Sequence, residues 1–233
     1  MNSAKTILSL CDYSGRWSSP YRLAGYNVIQ FDAKNGNDIR LEKMVDGEVY
    51  GILAAPPCTE FSGAGARWWK AKDQKPELLV EALSVVDACL RAVQIYKPKF
   101  WAMENPVGRL KDWIGAQQYT FQPHEFAGYL IDTPELADAE RYTKRTCLWG
   151  EFVEPIKANL TPIHGSKMWA KYGGKAESTE NKRFVQPNTI VYRCCVTQTQ
   201  KKSQPVHATA AQPLGKPGDF SCKICREGVG SGP

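Results

Sequence analysis

The run Gly51-Ile-Leu-Ala-Ala55, cut off by Pro56-Pro57 and followed at once by Cys58, constrains this chain more than any other stretch. Small and apolar residues without alternation suit a strand buried on both faces. Proline lacks the N–H that a sheet ladder needs and fixes its own φ, so the strand must stop there. Cys58 then falls just past the carboxyl end of a central strand, where open α/β sheets bind their ligands. Free cysteine is usually a buried small hydrophobe. Here the strand end and the glycine-rich aromatic segment Thr59 to Trp69 favour a nucleophile. Ser62, Gly63, Gly65, Arg67, Trp68 and Lys70 read as a mobile loop that closes over a nucleic-acid substrate, with the glycines as hinges.

The flanking chain fits an α/β fold. Thr6 to Leu10 reads as a strand, Cys11 to Arg16 as a turn, Ser19 to Ala24 as a helix capped by Gly25, and Asn27 to Phe31 as a second strand. Asp32 falls near the position, about 20 residues past the loop, where nucleotide-binding βαβ units carry a ribose-binding acid. The turn lacks the G-x-G-x-x-G fingerprint, which argues against a dinucleotide. Asp38-Ile39 lies in a polar turn. Apolar residues recur at helical spacing from Pro76 to Tyr96, with Cys89 on the core face. Lys99 to Met103 reads as a strand that delivers Glu104-Asn105-Pro106 at its tip. Tyr119 to Phe121 and Glu125 to Leu130 read as strand with a turn at Pro123, Asp132 to Arg141 as a loop or short helix, and Thr146 to Trp149 as an edge strand.

The 233 residues suffice for one sizeable α/β domain. No apolar run approaches the roughly 20 residues of a membrane span, and the first residues lack a signal-peptide pattern. A soluble, cytoplasmic protein is expected. The net charge of +6 is compatible with a polyanionic partner. Eight scattered cysteines lack the density of a secreted disulfide scaffold, so reduced thiols are expected. Met168 to Phe184 mixes lysines and arginine with Trp169 and Tyr172, a composition that suits a nucleic-acid backbone or a solvated loop. From about Thr197 onward little can be buried, and disorder is expected. Cys222-x-x-Cys225 is half a zinc site, and the adjacent Cys194-Cys195 would complete it awkwardly, so no metal is expected.

Together these stretches resemble the cytosine C5 DNA methyltransferases, most closely compact phage-type members. Leu8 to Gly15 resembles the first S-adenosylmethionine (AdoMet) motif, Phe31-Asp32 the ribose-binding acid, and Asp38-Ile39 the adenine-contacting pair. Pro56-Pro57-Cys58 with Phe61-Ser62 resembles the nucleophile motif, Met103-Glu104-Asn105 the Glu-Asn motif, and Thr143 to Thr146 with Leu148 to Gly150 the downstream arginine motif. Arg16 and Trp17 stand where the family has a glycine-rich turn, and Pro106 where it has valine. The resemblance implies a Rossmann-like class I AdoMet-dependent methyltransferase fold, a mostly parallel twisted sheet with helices on both faces. It implies a catalytic domain over residues 1–155, a small basic extension over 156–196 and a tail over 197–233. Cys58, Glu104 and Arg145 would be catalytic. Asp12, Tyr13, Ser14, Gly15, Asp32, Asp38, Ile39 and Pro57 would hold AdoMet, and Ser62, Arg67, Trp68, Asn105 and Lys144 would meet DNA. The expected activity is methyl transfer to C5 of cytosine in DNA by a monomer, in a bacterial or phage-infected cell. No target-recognition domain is recognisable, which suggests minimal recognition or a partner that supplies it. The alternatives are a non-catalytic nucleic-acid-binding protein on the same scaffold, or a pyrimidine C5 methyltransferase of RNA or nucleotides.

Overall fold

A computed structural model describes residues 2–41 and 45–165. Six strands form a single sheet: β1 (Thr6–Leu10), β2 (Asn27–Phe31), β3 (Val49–Ala54), β4 (Phe100–Pro106), β5 (Tyr119–Phe121) and β6 (Thr146–Glu151), in the order β2-β1-β3-β4-β6-β5. The first four run parallel, whereas β6 is antiparallel to both β4 and β5. The helices are α1 (Ser19–Leu23), α2 (Trp69–Lys72), α3 (Pro76–Tyr96), α4 (Lys111–Ile114) and α5 (Pro134–Glu140). The expected Rossmann-like architecture is thus present. Because β2 lies on one side of β1 and β3 on the other, a crevice opens beyond the carboxyl ends of these strands.

The side-chain alternation of the central strands divides the core in two. Leu8, Leu10, Ile52, Ala54 and Met103 pack with Val86, Cys89 and Ala92 of α3 on one face. Ile7, Leu53, Phe100 and Ala102 pack with Trp17, Tyr21 and Tyr26 on the other. Trp17, which replaces an expected glycine-rich turn, is 1% exposed and fills the floor of the second cluster. Its neighbour Tyr21 stacks on Phe100, with ring centroids 5.7 Å apart.

Several expectations need correction. Glu104 to Pro106 are the last three residues of β4 rather than a loop at its tip, because β6 extends the ladder to Pro106↔Thr146. Glu125 to Leu130 is not a strand: Pro123–Glu125 and Ala127–Leu130 are 3-10 turns, the first opened by proline and closed by a capping box between Gln122 and Glu125. Strand β6 is not at the edge, since β5 pairs on its outer side. The stretch Asp132 to Arg141 contains the short helix α5. The segment after Cys58 is not an irregular loop but a 3-10 helix, Gly63–Trp68, running into α2. Residues 155–164 fold back along the 124–141 region, where Ala158 exchanges backbone hydrogen bonds with Glu125 and Gly128. The basic stretch from Met168, the cysteines 194, 195, 222 and 225 and the tail lie outside the described residues. No helix among the described residues is long and apolar enough to cross a membrane.

The segment after Cys58 is tied to the end of β4 at close range. Gly63 N–H donates to the Val107 carbonyl, and a Cβ on Gly108 would lie 1.8 Å from the Phe61 carbonyl oxygen. Gly108→Ala is therefore expected to destabilise the fold by about 1–3 kcal/mol, the usual cost of overpacking. Urea unfolding checks this; an unchanged midpoint would show that the two segments do not meet so closely.

Candidate active site

The crevice holds a cavity of about 400 Å³, within the range of small-molecule sites. Five strand ends build it, four carboxyl and one amino. Strand β1 contributes Cys11, whose φ of 60° turns the chain sharply, followed by Tyr13 and Ser14. Strand β2 delivers Phe31 and Asp32, and β3 ends in Pro56, Pro57 and Cys58. Strand β4 places Glu104 on the wall. Strand β6, being antiparallel, brings its amino end to the same rim, so Lys144 also faces the cavity.

At one end stand Cys58, Glu104 and Lys144. Glu104 is 5% exposed, and its Oε1 lies 3.8 Å from Lys144 Nζ. Burial raises the carboxyl pKa above the ordinary value, against the opposing pull of Lys144. Burial also pushes the Cys58 thiol up to about 11; Glu104 raises it further, whereas Lys144 and Lys72 lower it. The Cys58 backbone is held by its own turn, its carbonyl accepting N–H groups from Phe61 at 3.0 Å and Ser62 at 2.8 Å.

At the other end stand two acids. Asp32 caps the 3-10 turn Ala33–Asn35, accepting the Lys34 N–H. Asp38 is gripped by Arg40 through both carboxylate oxygens, and these hydrogen bonds lower its pKa. Arg40 also reaches Glu81 and Ser84 of α3, fastening this corner to the body of the domain. Phe31, Ile39 and Pro57 supply apolar wall between the two ends.

Some expected residues lie elsewhere. Arg145 is exposed and does not line the cavity; its carbonyl accepts the Val107 N–H. Asp12 is fully buried behind the loop, where it accepts hydrogen bonds from Ser9 Oγ and from Ser18 N–H and Oγ. Gly15 takes φ 65° and shapes the same loop without lining the cavity. Asn105 is also fully buried, and its Nδ2 donates to the Pro56 carbonyl at 2.9 Å. Ser62 caps the 3-10 helix Gly63–Trp68, on which Arg67 and Trp68 are exposed, the guanidinium 5.3 Å from the ring centroid. Sequence reasoning missed Lys34, Arg40 and Gln30. Gln30 donates to the Asp12 and Tyr13 carbonyls and so braces the loop from β2. A polar residue inside an otherwise apolar strand was the available signal.

This fold is an α/β domain whose cavity, beyond the carboxyl ends of its parallel strands, is lined at one end by a thiol, a carboxyl and an amine. Residues 21–142, just over half of the sequence, match the C-5 cytosine-specific DNA methylase family. The chain belongs to that family. The type II methyltransferase M.DdeI of Desulfomicrobium norvegicum is 29% identical over 135 residues, covering 48% of this chain and 30% of the relative. The chain thus spans less than a third of that relative's length.

The raised carboxyl has a stability consequence. Above the ordinary carboxylate range the unfolded chain releases a proton that buried Glu104 retains, so this group's contribution falls as pH rises toward its raised pKa. Glu104→Gln mimics the neutral acid. It is expected to raise the melting temperature more at pH 8 than at pH 5, by calorimetry. An equal effect at both pH values would mean that the carboxyl ionises normally.

Proposed function

We propose that this chain transfers the methyl group of AdoMet to C5 of cytosine in DNA through a covalent bond from Cys58. The observation that carries the reading is the meeting of Cys58, Glu104 and Lys144 in one cavity that continues to Asp32 and Asp38.

The cavity suits AdoMet. Asp32 offers an acceptor for ribose hydroxyls, and Phe31 and Ile39 offer apolar faces for an adenine. Asp38, already paired with Arg40, presents a carboxylate whose charge is neutralised, which suits a neutral base edge better than a free acid would. When bound, AdoMet supplies an electrophilic methyl group.

Cytosine C5 is a weak nucleophile until a thiolate adds to C6. Cys58 gives up its proton to solvent, its thiolate forms the S–C6 bond, and the ring electrons move toward C5 and N3. Glu104 holds a proton at the pH where free carboxylates do not, so it can give that proton to N3. Lys144 sits where the negative charge builds up and offsets it. C5 would take the methyl group as the donor's S–CH3 bond breaks, leaving S-adenosylhomocysteine; the C5 proton then passes to solvent, N3 returns its proton to Glu104, and the ring electrons expel the Cys58 thiolate from C6. We assign the cation of this site to Lys144. Arg145 lies outside the cavity and is assigned to phosphate contact, together with Arg67 and Trp68 on the cap. A base in a duplex must be extruded to reach the sulfur, at a cost of a few kcal/mol.

Incubation with labelled AdoMet and mixed-sequence DNA, followed by nucleoside mass spectrometry, tests the reading. 5-Methylcytosine is expected, and Cys58→Ala should abolish it while AdoMet binding by calorimetry persists. Undiminished methylation in that variant would remove Cys58 from the chemistry. Lys144→Ala should lower turnover by about 10²–10³-fold, as loss of one charge-stabilising group does. Arg145→Ala should chiefly weaken DNA binding in a salt-dependent way. The reverse ranking would restore the arginine to the reacting centre.

A further inference from the structure

Arg109 is a nearly buried cation, 8% exposed, that belongs neither to the cavity nor to the exposed basic surface. Its Nε donates to the Glu60 carbonyl at 2.8 Å, and its Nη1 donates to Asp73 Oδ1 at 2.7 Å. Its backbone N–H donates to the Phe61 carbonyl, also at 2.8 Å. Two successive carbonyls, both within three residues of Cys58, are thus taken by one residue of the β4 extension. The guanidinium lies 5.1 Å from the Trp69 ring centroid and 5.6 Å from that of Trp113. A second cation completes the ring of contacts: Lys72 Nζ reaches the Thr59 carbonyl and Glu60 Oε1, each at 2.8 Å. The start and the end of the 58–75 segment are therefore fastened at one point, and that point is fixed to the strand that carries Glu104.

We propose that Arg109 is a positioning residue, which clamps the Cys58 turn and the cap after it to the end of β4 and so sets the sulfur against Glu104. The proposal rests on the reading of Cys58 and Glu104 as the reacting pair. An arginine is required for geometric reasons. Its planar fork serves a carbonyl and a carboxylate in different directions and presents flat faces to two indoles. An ammonium can sit at one of these acceptors but cannot hold both while filling the slot between the rings. Burying a charge here is costly; Nε and Nη1 are paired with Glu60 and Asp73, and Nη2 is buried between the indoles without a hydrogen-bond partner. The register of the Cys58 turn benefits, since a misplacement near 1 Å can cost about a hundredfold in rate.

The test uses the full chain and reads the thiol directly. Wild type, Arg109→Lys and Asp73→Asn are treated with iodoacetamide, and labelling of each cysteine is followed by peptide mass spectrometry. In wild type, Cys58 should react slowly because burial holds its pKa near 11. In Arg109→Lys the turn is released, and Cys58 labelling should rise about tenfold, the change that one pKa unit gives. Asp73→Asn, which removes only one half-exposed partner, should give a smaller rise and carries the comparison if the lysine variant does not fold. Buried Cys89 and Cys147 should stay unlabelled throughout. Unchanged Cys58 labelling in the variants overturns the proposal. So does a parallel rise at Cys89, which would reveal general loosening. In the methylation assay Arg109→Lys should lower kcat with the KM for AdoMet unchanged. If wild type transfers no methyl group while the labelling contrast holds, the functional reading fails and the clamp on the thiol stands.

Discussion

The hydrogen bond from Asn105 Nδ2 to the Pro56 carbonyl joins the two strand ends on which the site depends. It answers a problem created by the sequence itself. Two prolines end β3 and remove two N–H donors, so the chain leaves the sheet while still buried. The Pro56 carbonyl would then have no ladder partner, and an unsatisfied buried carbonyl costs about 1–3 kcal/mol. Asn105, the neighbour of Glu104, supplies the missing donor. The same residue that satisfies the backbone therefore fixes the distance between the strand bearing the thiol and the strand bearing the acid.

Around that link the charges are arranged by burial more than by pairing. Glu104 has a cation 3.8 Å away, and burial nonetheless dominates its proton affinity. Burial thus raises the proton affinity of both Glu104 and Cys58, and Lys144 opposes the shift at each. At the far end pairing decides instead: Arg40 favours the charged form of Asp38 through direct hydrogen bonds and also reaches Glu81, while Asp32 stands as a second acid on the same wall.

Much of this was legible in the residues. The strand–proline–cysteine break, the βαβ opening and the helix from Pro76 to Tyr96 follow from periodicity and from the two residues that most restrict the backbone, and the helix ends where expected. Cys58, Glu104 and Asp32 stand out because they fall at or just past strand ends, whereas Asp38 sits in a polar turn and is singled out only by the family resemblance. What failed to show depended on pairing across long sequence separations. Neither the position of β6 inside the sheet nor the inward side chain of Lys144 can be read locally, since both depend on the register with β4. Asn105 and Asp12 carry functional-looking side chains that the backbone claims first. Arg109 lay hidden for the same reason: its acceptors are 36 to 49 residues away.

Among the described residues the antiparallel strand β6 comes last in chain order, yet it occupies an interior place, between β4 and β5. A growing polypeptide that has reached residue 142 has Cys58, Glu104, Asp32 and Asp38, but β5 has no neighbour to pair with and β4 is left with a bare edge. Insertion of Thr146 to Glu151 closes the gap and, in the same act, brings in the lysine. A nascent chain on the ribosome therefore cannot complete the wall of the cavity before the strand that seals its sheet has emerged.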